Sequence, residues 1–166
     1  MDRLWAPWRI EYVLSIKNEK GCFLCNKLRE NSDEKNHIIA RGKYCFVILN
    51  IYPYNPGHTM VVPNRHTADI NSLFSEEVEE LYEFVKRTIF AIDKSMQPDG
   101  YNIGMNLGKI AGAGVKDHLH IHIVPRWSAD TNFMPIIADT KVIAESNDEV
   151  YRQLKKFFSE GSYANL

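Results

Sequence analysis

The run His118-Leu119-His120-Ile121-His122-Ile123 alternates an imidazole with an aliphatic side chain at every step. Strict period-two alternation belongs to a β-strand, because strand side chains point to opposite faces in turn whereas helical ones repeat every 3.6 residues. His118, His120 and His122 therefore share one face, and Leu119, Ile121 and Ile123 enter a core on the other. A chain with this segment has to build a sheet that is packed on one side of the strand and polar on the other.

The rest of the pattern supplies partners for that strand. Residues 38–41 and 44–49 read as strands around Gly42-Lys43, a hairpin connection, and the second is apolar at nearly every position, so both its faces are expected to be covered. Asn55-Pro56-Gly57-His58 has Pro and Gly where a type II turn wants them, and it delivers His58 to a strand over 59–63. Residues 76–96 form the main helix, with Ser75 as its cap and Val78, Leu81, Tyr82, Val85, Ile89, Ile92 and Met96 on the inner face. Tyr101, Ile103, Met105 and Leu107 alternate with polar or glycine positions, the pattern of a half-covered strand, and a glycine-rich loop over 108–114 leads to the histidines. Ser146-Asn147-Asp148-Glu149 is a capping box opening a last helix, with Val150, Leu154 and Phe157 on one face. A short helix over 9–16, a knuckle and helical turn over 22–30 and a loop over 31–36 complete the chain. Hairpin-length links between these elements predict an antiparallel α+β domain.

Composition narrows the function classes. Net charge is −1 over 166 residues, so no overall field draws the chain to a nucleic-acid polymer or an anionic membrane. The longest apolar runs are strand-sized, short of the ~20 residues of a membrane span, and no secretory leader is visible. The three cysteines are an odd count, and Cys22 and Cys25 make a C-x-x-C pair, which in a reducing compartment points to metal or redox work rather than structural disulfides. The expectation is a cytoplasmic protein.

The histidine face admits three readings. A solvated polar face would not place three of six histidines in register. One metal bound by all three is disfavoured, since the outer pair lie about 13 Å apart at Cα at a rise of ~3.4 Å per residue. The third is nucleophilic catalysis on phosphorus by neutral imidazole, which needs an acceptor for its second ring N–H and donors for the phosphate oxygens. His120 is the candidate nucleophile; His58, His122 and the amides of the 108–114 loop are candidate donors. Cys22-x-x-Cys25 alone is weak evidence, open to a redox pair or a metal-free thiol pair. Together with His66 and His118 it offers two thiolates and two imidazoles, the set of a closed, structural zinc site. Lys109, Lys116 and Arg126 are further candidates for phosphate contact; His37 reads as a surface residue and Cys45 as buried filler.

With these residues in place the sequence resembles the histidine-triad (HIT) superfamily, whose motif His-φ-His-φ-His-φ-φ (φ apolar) is matched from His118 to Val124. Asn50, the Pro56-Gly57-His58 segment and Asn106 fit as well, so the likeness spans about residues 22–127. Leu4-Trp5-Ala6-Pro7-Trp8-Arg9, Val124-Pro125-Arg126-Trp127 and Asn132-Phe133 resemble the bacterial branch of diadenosine tetraphosphate phosphorylases and hydrolases. The resemblance implies one HIT domain over 1–166, a five-stranded antiparallel sheet with flanking helices. Residues 1–20 form an aromatic extension and 128–166 a C-terminal extension and helix. It implies a homodimer, structural zinc on Cys22, Cys25, His66 and His118, and His120 as nucleophile, with His122 and His58 assisting. Asn50, Asn106, Gly112 and Gly114 are the implied substrate contacts. The implied reaction cleaves a phosphoanhydride or phosphoramidate of an adenine nucleotide, such as diadenosine tetraphosphate, through a nucleotidyl-histidine. One departure is Gly114, where many members carry Gln or Ser, and it puts discharge to phosphate in doubt against discharge to water. A nucleotide- or partner-binding module with vestigial catalysis is the reading from a different class.

Overall fold

The structure is a computed structural model that describes residues 21–128, 130 and 146–160. The helix expected over 9–16 and the aromatic extension lie outside those residues. The elements run α1 (Phe23–Arg29), α2 (Asp33–Asn36), β1 (Ile38–Arg41), β2 (Cys45–Leu49), β3 (Thr59–Pro63), a short 3-10 turn (Ile70–Ser72), α3 (Ser75–Met96), β4 (Gly100–Gly104), β5 (Ile121–Arg126) and α4 (Asn147–Glu160). The five strands form one sheet in the order β1-β2-β3-β5-β4, every neighbouring pair antiparallel. The expected α+β class and five-stranded antiparallel sheet are what the structure has. No helix among the described residues is long and apolar enough to cross a membrane.

Each face of the sheet has its own core. On one, Val47, Leu49, Val61, Ile121 and Ile123 pack under α3 and α4. On the other, Phe46, Ile48, Met60 and Val62 pack with Leu24 of α1. All five residues of β2 are buried, as continuous apolarity predicts for a strand covered on both sides. The β1–β2 hairpin closes with a Gly42 amide to Cys45 carbonyl bond of 2.8 Å. The amides of Lys43, Tyr44 and Cys45 then all donate to the Glu80 carboxylate of α3. Glycine at position 42 permits this approach, since a Cβ there would lie 2.7 Å from both the Glu80 carboxyl group and Phe84 Cζ and would displace those side-chain ends.

Several local readings need correction. Residues 33–36 are one helical turn, not loop; Asp33 and Glu34 favour its N-terminus and His37, with φ of 54°, ends it in the left-handed region. A single turn is too short to show a helical period. His37 is half-buried rather than a surface residue, its Nε2 lying 2.8 Å from Asp148 and its ring edge-on to Tyr151. Ser75 is the first helical residue of α3; the Glu77 carboxylate accepts the Phe74 amide and does the capping. The buried stripe of α3 is Leu81, Phe84, Val85, Thr88 and Ile92, while Val78 and Tyr82 face outward. On α4 the deeply buried aromatics are Tyr151 and Phe158, with Phe157 only partly covered. Strand β4 stops at Gly104, and Ile103 is exposed because this edge strand outruns the helical cover that Tyr101 receives.

Candidate active site and metal centre

Strand β5 lies between β3 and β4, and its register sets His122 between Met60 and Gly104. The ladder begins at Ile121, three residues later than the alternation suggests, because the Leu119 amide donates to the Thr67 carbonyl instead of to a strand. The extended backbone still holds the alternation: Leu119, Ile121 and Ile123 are buried in the core, and the imidazoles face the other way. Among the described residues nothing lies within 4 Å of where a Gly104 Cβ would be, so they leave the sheet face beside His122 open.

Backbone groups assign the protons. The His118 carbonyl accepts from Nδ1 of His120 at 2.9 Å, which leaves the His120 lone pair on Nε2. The Tyr54 amide donates to Nδ1 of His58 at 3.1 Å, so His58 carries its proton on Nε2. That Nε2–H reaches Nδ1 of His122 at 2.9 Å, and His122 in turn presents an Nε2–H. The His120 and His122 ring centroids are 4.7 Å apart and nearly perpendicular. The site thus pairs an unprotonated nitrogen with a neighbouring N–H donor. Burial, and then the charge His122 and His120 would add, holds His58 down at about 3. Burial, and then His120, holds His122 at about 4, and burial also lowers His120. All three rings are neutral at pH 7.

The other predicted contacts spread around this face. The Asn50 side-chain carbonyl accepts the Tyr52 amide at 2.9 Å, and its nitrogen lies 3.3 Å from His58 Nδ1. Asn50 therefore organises the turn that carries His58, with one carbonyl lone pair still to place. Asn106 and Gly112 come together, the Asn106 amide nitrogen being 4.0 Å from where a Gly112 Cβ would lie. Gly112, with φ of 88°, sits where an L side chain is strained, and Gly114 is exposed in the same loop. Arg126 is committed elsewhere: its guanidinium holds Asp130 and the Asn102 side chain. The sequence reading missed Pro63, Thr67, Asn55 and Asp130. Their contributions are main-chain carbonyls or contacts between residues far apart in the chain, and neither leaves a local pattern.

His118 belongs to a second cluster. The donor atoms of Cys22, Cys25, His66 and His118 all lie within 4.8 Å of one another. His118 Nδ1 is 3.3 Å from Cys22 Sγ, 3.4 Å from Cys25 Sγ and 3.3 Å from His66 Nδ1. With metal–sulfur bonds of ~2.3 Å and metal–nitrogen bonds of ~2.05 Å, tetrahedral geometry puts ligand atoms about 3.3–3.8 Å apart. The His118 Nε2–H donates to the Pro63 carbonyl at 2.8 Å, which fixes the Nδ1 lone pair toward the cluster. The residues fit a four-coordinate metal ion with no open position.

A HIT domain is matched over residues 31–129. The chain belongs to the HIT domain family. It is 40% identical over 152 residues to the AP-4-A phosphorylase of Mycobacterium tuberculosis, covering 87% of this chain and 78% of that protein. It is 31% identical over 131 residues to the asymmetrical bis(5'-nucleosyl)-tetraphosphatase of Schizosaccharomyces pombe, covering 79% of this chain and 63% of that one. Among solved structures, a Zn-bound histidine triad family protein from Mycobacterium smegmatis superposes with a TM-score of 0.69 at 28% identity, covering 87% of this chain and 98% of that one. The phosphorylase and the tetraphosphatase are HIT-family enzymes, and the reading of the chain as an enzyme of this family is borne out.

The buried neutral histidines make the fold sensitive to acid. An unfolded histidine titrates near 6.5, whereas His58 and His122 titrate at about 3 and about 4 when folded. As pH falls through 6.5 the unfolded chain takes up protons that the folded chain refuses, so stability is full above about 6.5 and drains as pH drops toward 4. Glu77, held below its ordinary value by Arg65, adds a loss only in the carboxylate range. Urea midpoints are expected to drop between pH 7 and 5, with a shallower slope in His122→Gln. Identical slopes in the two proteins would refute the assignment.

Proposed function

We propose that this HIT-family chain cleaves a dinucleoside polyphosphate, diadenosine tetraphosphate being the favoured substrate, through a nucleotidyl intermediate on His120. The observation that carries the reading is the His118 carbonyl bond, which puts the His120 lone pair on Nε2, while burial keeps the ring neutral. In the proposed reaction Nε2 forms a bond to phosphorus as the bond to the leaving phosphate oxygen breaks. The His122 Nε2–H, set by His58, faces the oxygens that gain charge. Asn50 is proposed for the ribose hydroxyls and Asn106, Gly112 and Gly114 for the phosphates. Water or phosphate then takes the nucleotide from His120 and restores the imidazole.

The tests are chemical. His120→Ala is expected to lower kcat by at least about a thousandfold while nucleotide affinity and folding persist. Acid quench of the wild-type protein with substrate should yield a nucleotidyl adduct on His120. Turnover in His120→Ala equal to wild type sinks the reading. Product analysis with and without phosphate then identifies the acceptor: ADP plus ATP only with phosphate is phosphorolysis, and AMP plus ATP without it is hydrolysis.

Zinc is the proposed ion for Cys22, Cys25, His66 and His118, supported by two thiolates and two imidazoles at tetrahedral spacing. Its role would be to tie the α1 knuckle to the strand of His120. The purified protein should contain one zinc per chain. Cys25→Ser should lose it and melt roughly 5–10 °C lower, equivalent to about 2–3 kcal/mol for a chain of this size. Metal-free wild-type protein with an unchanged melting temperature would refute a bracing role.

A homodimer is proposed at β4, which pairs only with β5 among the described strands and leaves Ile103, Leu107 and Ile110 exposed. Light scattering should give twice the chain mass, and Ile103→Lys should shift it toward the monomer. A monomeric wild type removes this proposal.

A further inference from the structure

His58 acts on the proposed chemistry only if its Nε2 stays on His122 Nδ1, and the two residues come from different segments. His58 leaves the Asn55-Pro56-Gly57 turn, closed by its own amide to the Asn55 carbonyl at 3.1 Å. His122 lies in β5. Asn55 joins the two. It is 1% exposed, and its side-chain nitrogen donates to the Pro125 carbonyl and to the Asp130 carboxylate, each at 2.8 Å. Pro125 is three residues along the same strand from His122. Gly57, with φ of 79°, completes the contact: a Cβ there would lie 3.1 Å from Pro125 Cγ and 2.8 Å from Met96 Sδ.

Asp130 is anchored in turn. Its carboxylate accepts from the Arg126 guanidinium and from the Trp127 amide, and it is only 6% exposed in its side chain. Arg126 donates onward to Asn102 Oδ1 on β4 at 2.7 Å. A polar network therefore runs from β4 through the end of β5 to the turn before His58.

We propose that Asn55, oriented by Asp130, is a positioning residue that locks His58 against His122 and so fixes the His122 proton on Nε2, where it meets the substrate. The inference rests on the proposed donor role of His122, but its spectroscopic part does not depend on any substrate. Asp130 acts through its acceptor oxygen, so an asparagine there preserves the bond from Asn55 and an alanine does not. The amide of Asn55 has no substitute in alanine.

The experiment uses the full chain with ¹⁵N-labelled histidine, comparing wild type with Asn55→Ala, Asp130→Ala and Asp130→Asn. In wild type and Asp130→Asn the long-range ¹H–¹⁵N spectrum should show both His58 and His122 protonated on Nε2. In Asn55→Ala and Asp130→Ala the His122 pattern should move toward a mixture of tautomers. With diadenosine tetraphosphate, those two alanine variants should lose about 10- to 100-fold in kcat with KM changed less than about threefold, the expected scale for a misplaced catalytic group. Should Asn55→Ala fail to fold, the Asp130 pair decides alone. Equal behaviour of Asp130→Ala and Asp130→Asn, or an unchanged His122 tautomer in the alanine variants, overturns the proposal. A wild type with the expected tautomers but no turnover counts against the proposed reaction and leaves the clamp standing.

Discussion

Strand β5 is paired on both sides, to β3 over Ile121–Ile123 and to β4 over His122–Arg126. Double pairing makes its register hard to slip, and a one-residue slip would turn every imidazole into the core and every aliphatic side chain onto the polar face. The cost of such a slip is paired twice: histidines in a dry core without partners, and Leu119, Ile121 and Ile123 in water. The histidine face is thus fixed by the burial of its opposite face. Its chemistry depends on a core that takes no part in it.

On that frame the three imidazoles differ because their backbone partners differ. His118 gives its Nε2–H to Pro63 and turns Nδ1 to the thiols; His120 gives its Nδ1–H to His118 and turns Nε2 outward. Among the described residues the His122 ring meets no carbonyl, and it takes its orientation from His58. A free imidazole exchanges between its two neutral tautomers, and neighbouring imidazoles in water would share charge freely. Here burial keeps all the rings neutral and fixed acceptors choose the nitrogen, so no group has to reorganise before a proton is offered. The open space at Gly104 lies beside this array, where a side chain on β4 would have filled it.

How much of this was legible in the sequence follows from the range of each interaction. Period-two alternation exposed the histidine strand, and Pro56-Gly57 exposed the turn before His58, because both are local backbone preferences. The cluster of Cys22, Cys25, His66 and His118 was legible from ligand chemistry, and the structure brings those four atoms together. The buried stripe of α3 was misjudged because Val78 and Tyr82 carry the right period but the wrong rotation, and tertiary contact alone decides which apolar face is covered. One-turn helix α2 was missed for want of length. Asn55 to Asp130, separated by 75 residues, has no periodic or compositional trace at all. Likewise Arg126 looked like a phosphate contact because a sequence shows a charge but not the carboxylate that engages it.

The two ends of the histidine strand are held by different chemistry. At its start the Leu119 amide is bound by Thr67, and His118 joins Pro63 and the metal-ligand cluster. At its far end Asn55, Arg126 and Asp130 bind Pro125 and Asn102. The start is built from groups that a chelator or an oxidant attacks, whereas the far end is an amide and an ion pair indifferent to both. His120 lies two residues from the first anchor and His122 three from the second. Loss of the proposed metal should therefore reach His120 first, through the His118 carbonyl that selects its tautomer, and leave the His58–His122 bond in place. The proposed nucleophile and its proposed donor are supported independently, and damage to one is separable from damage to the other.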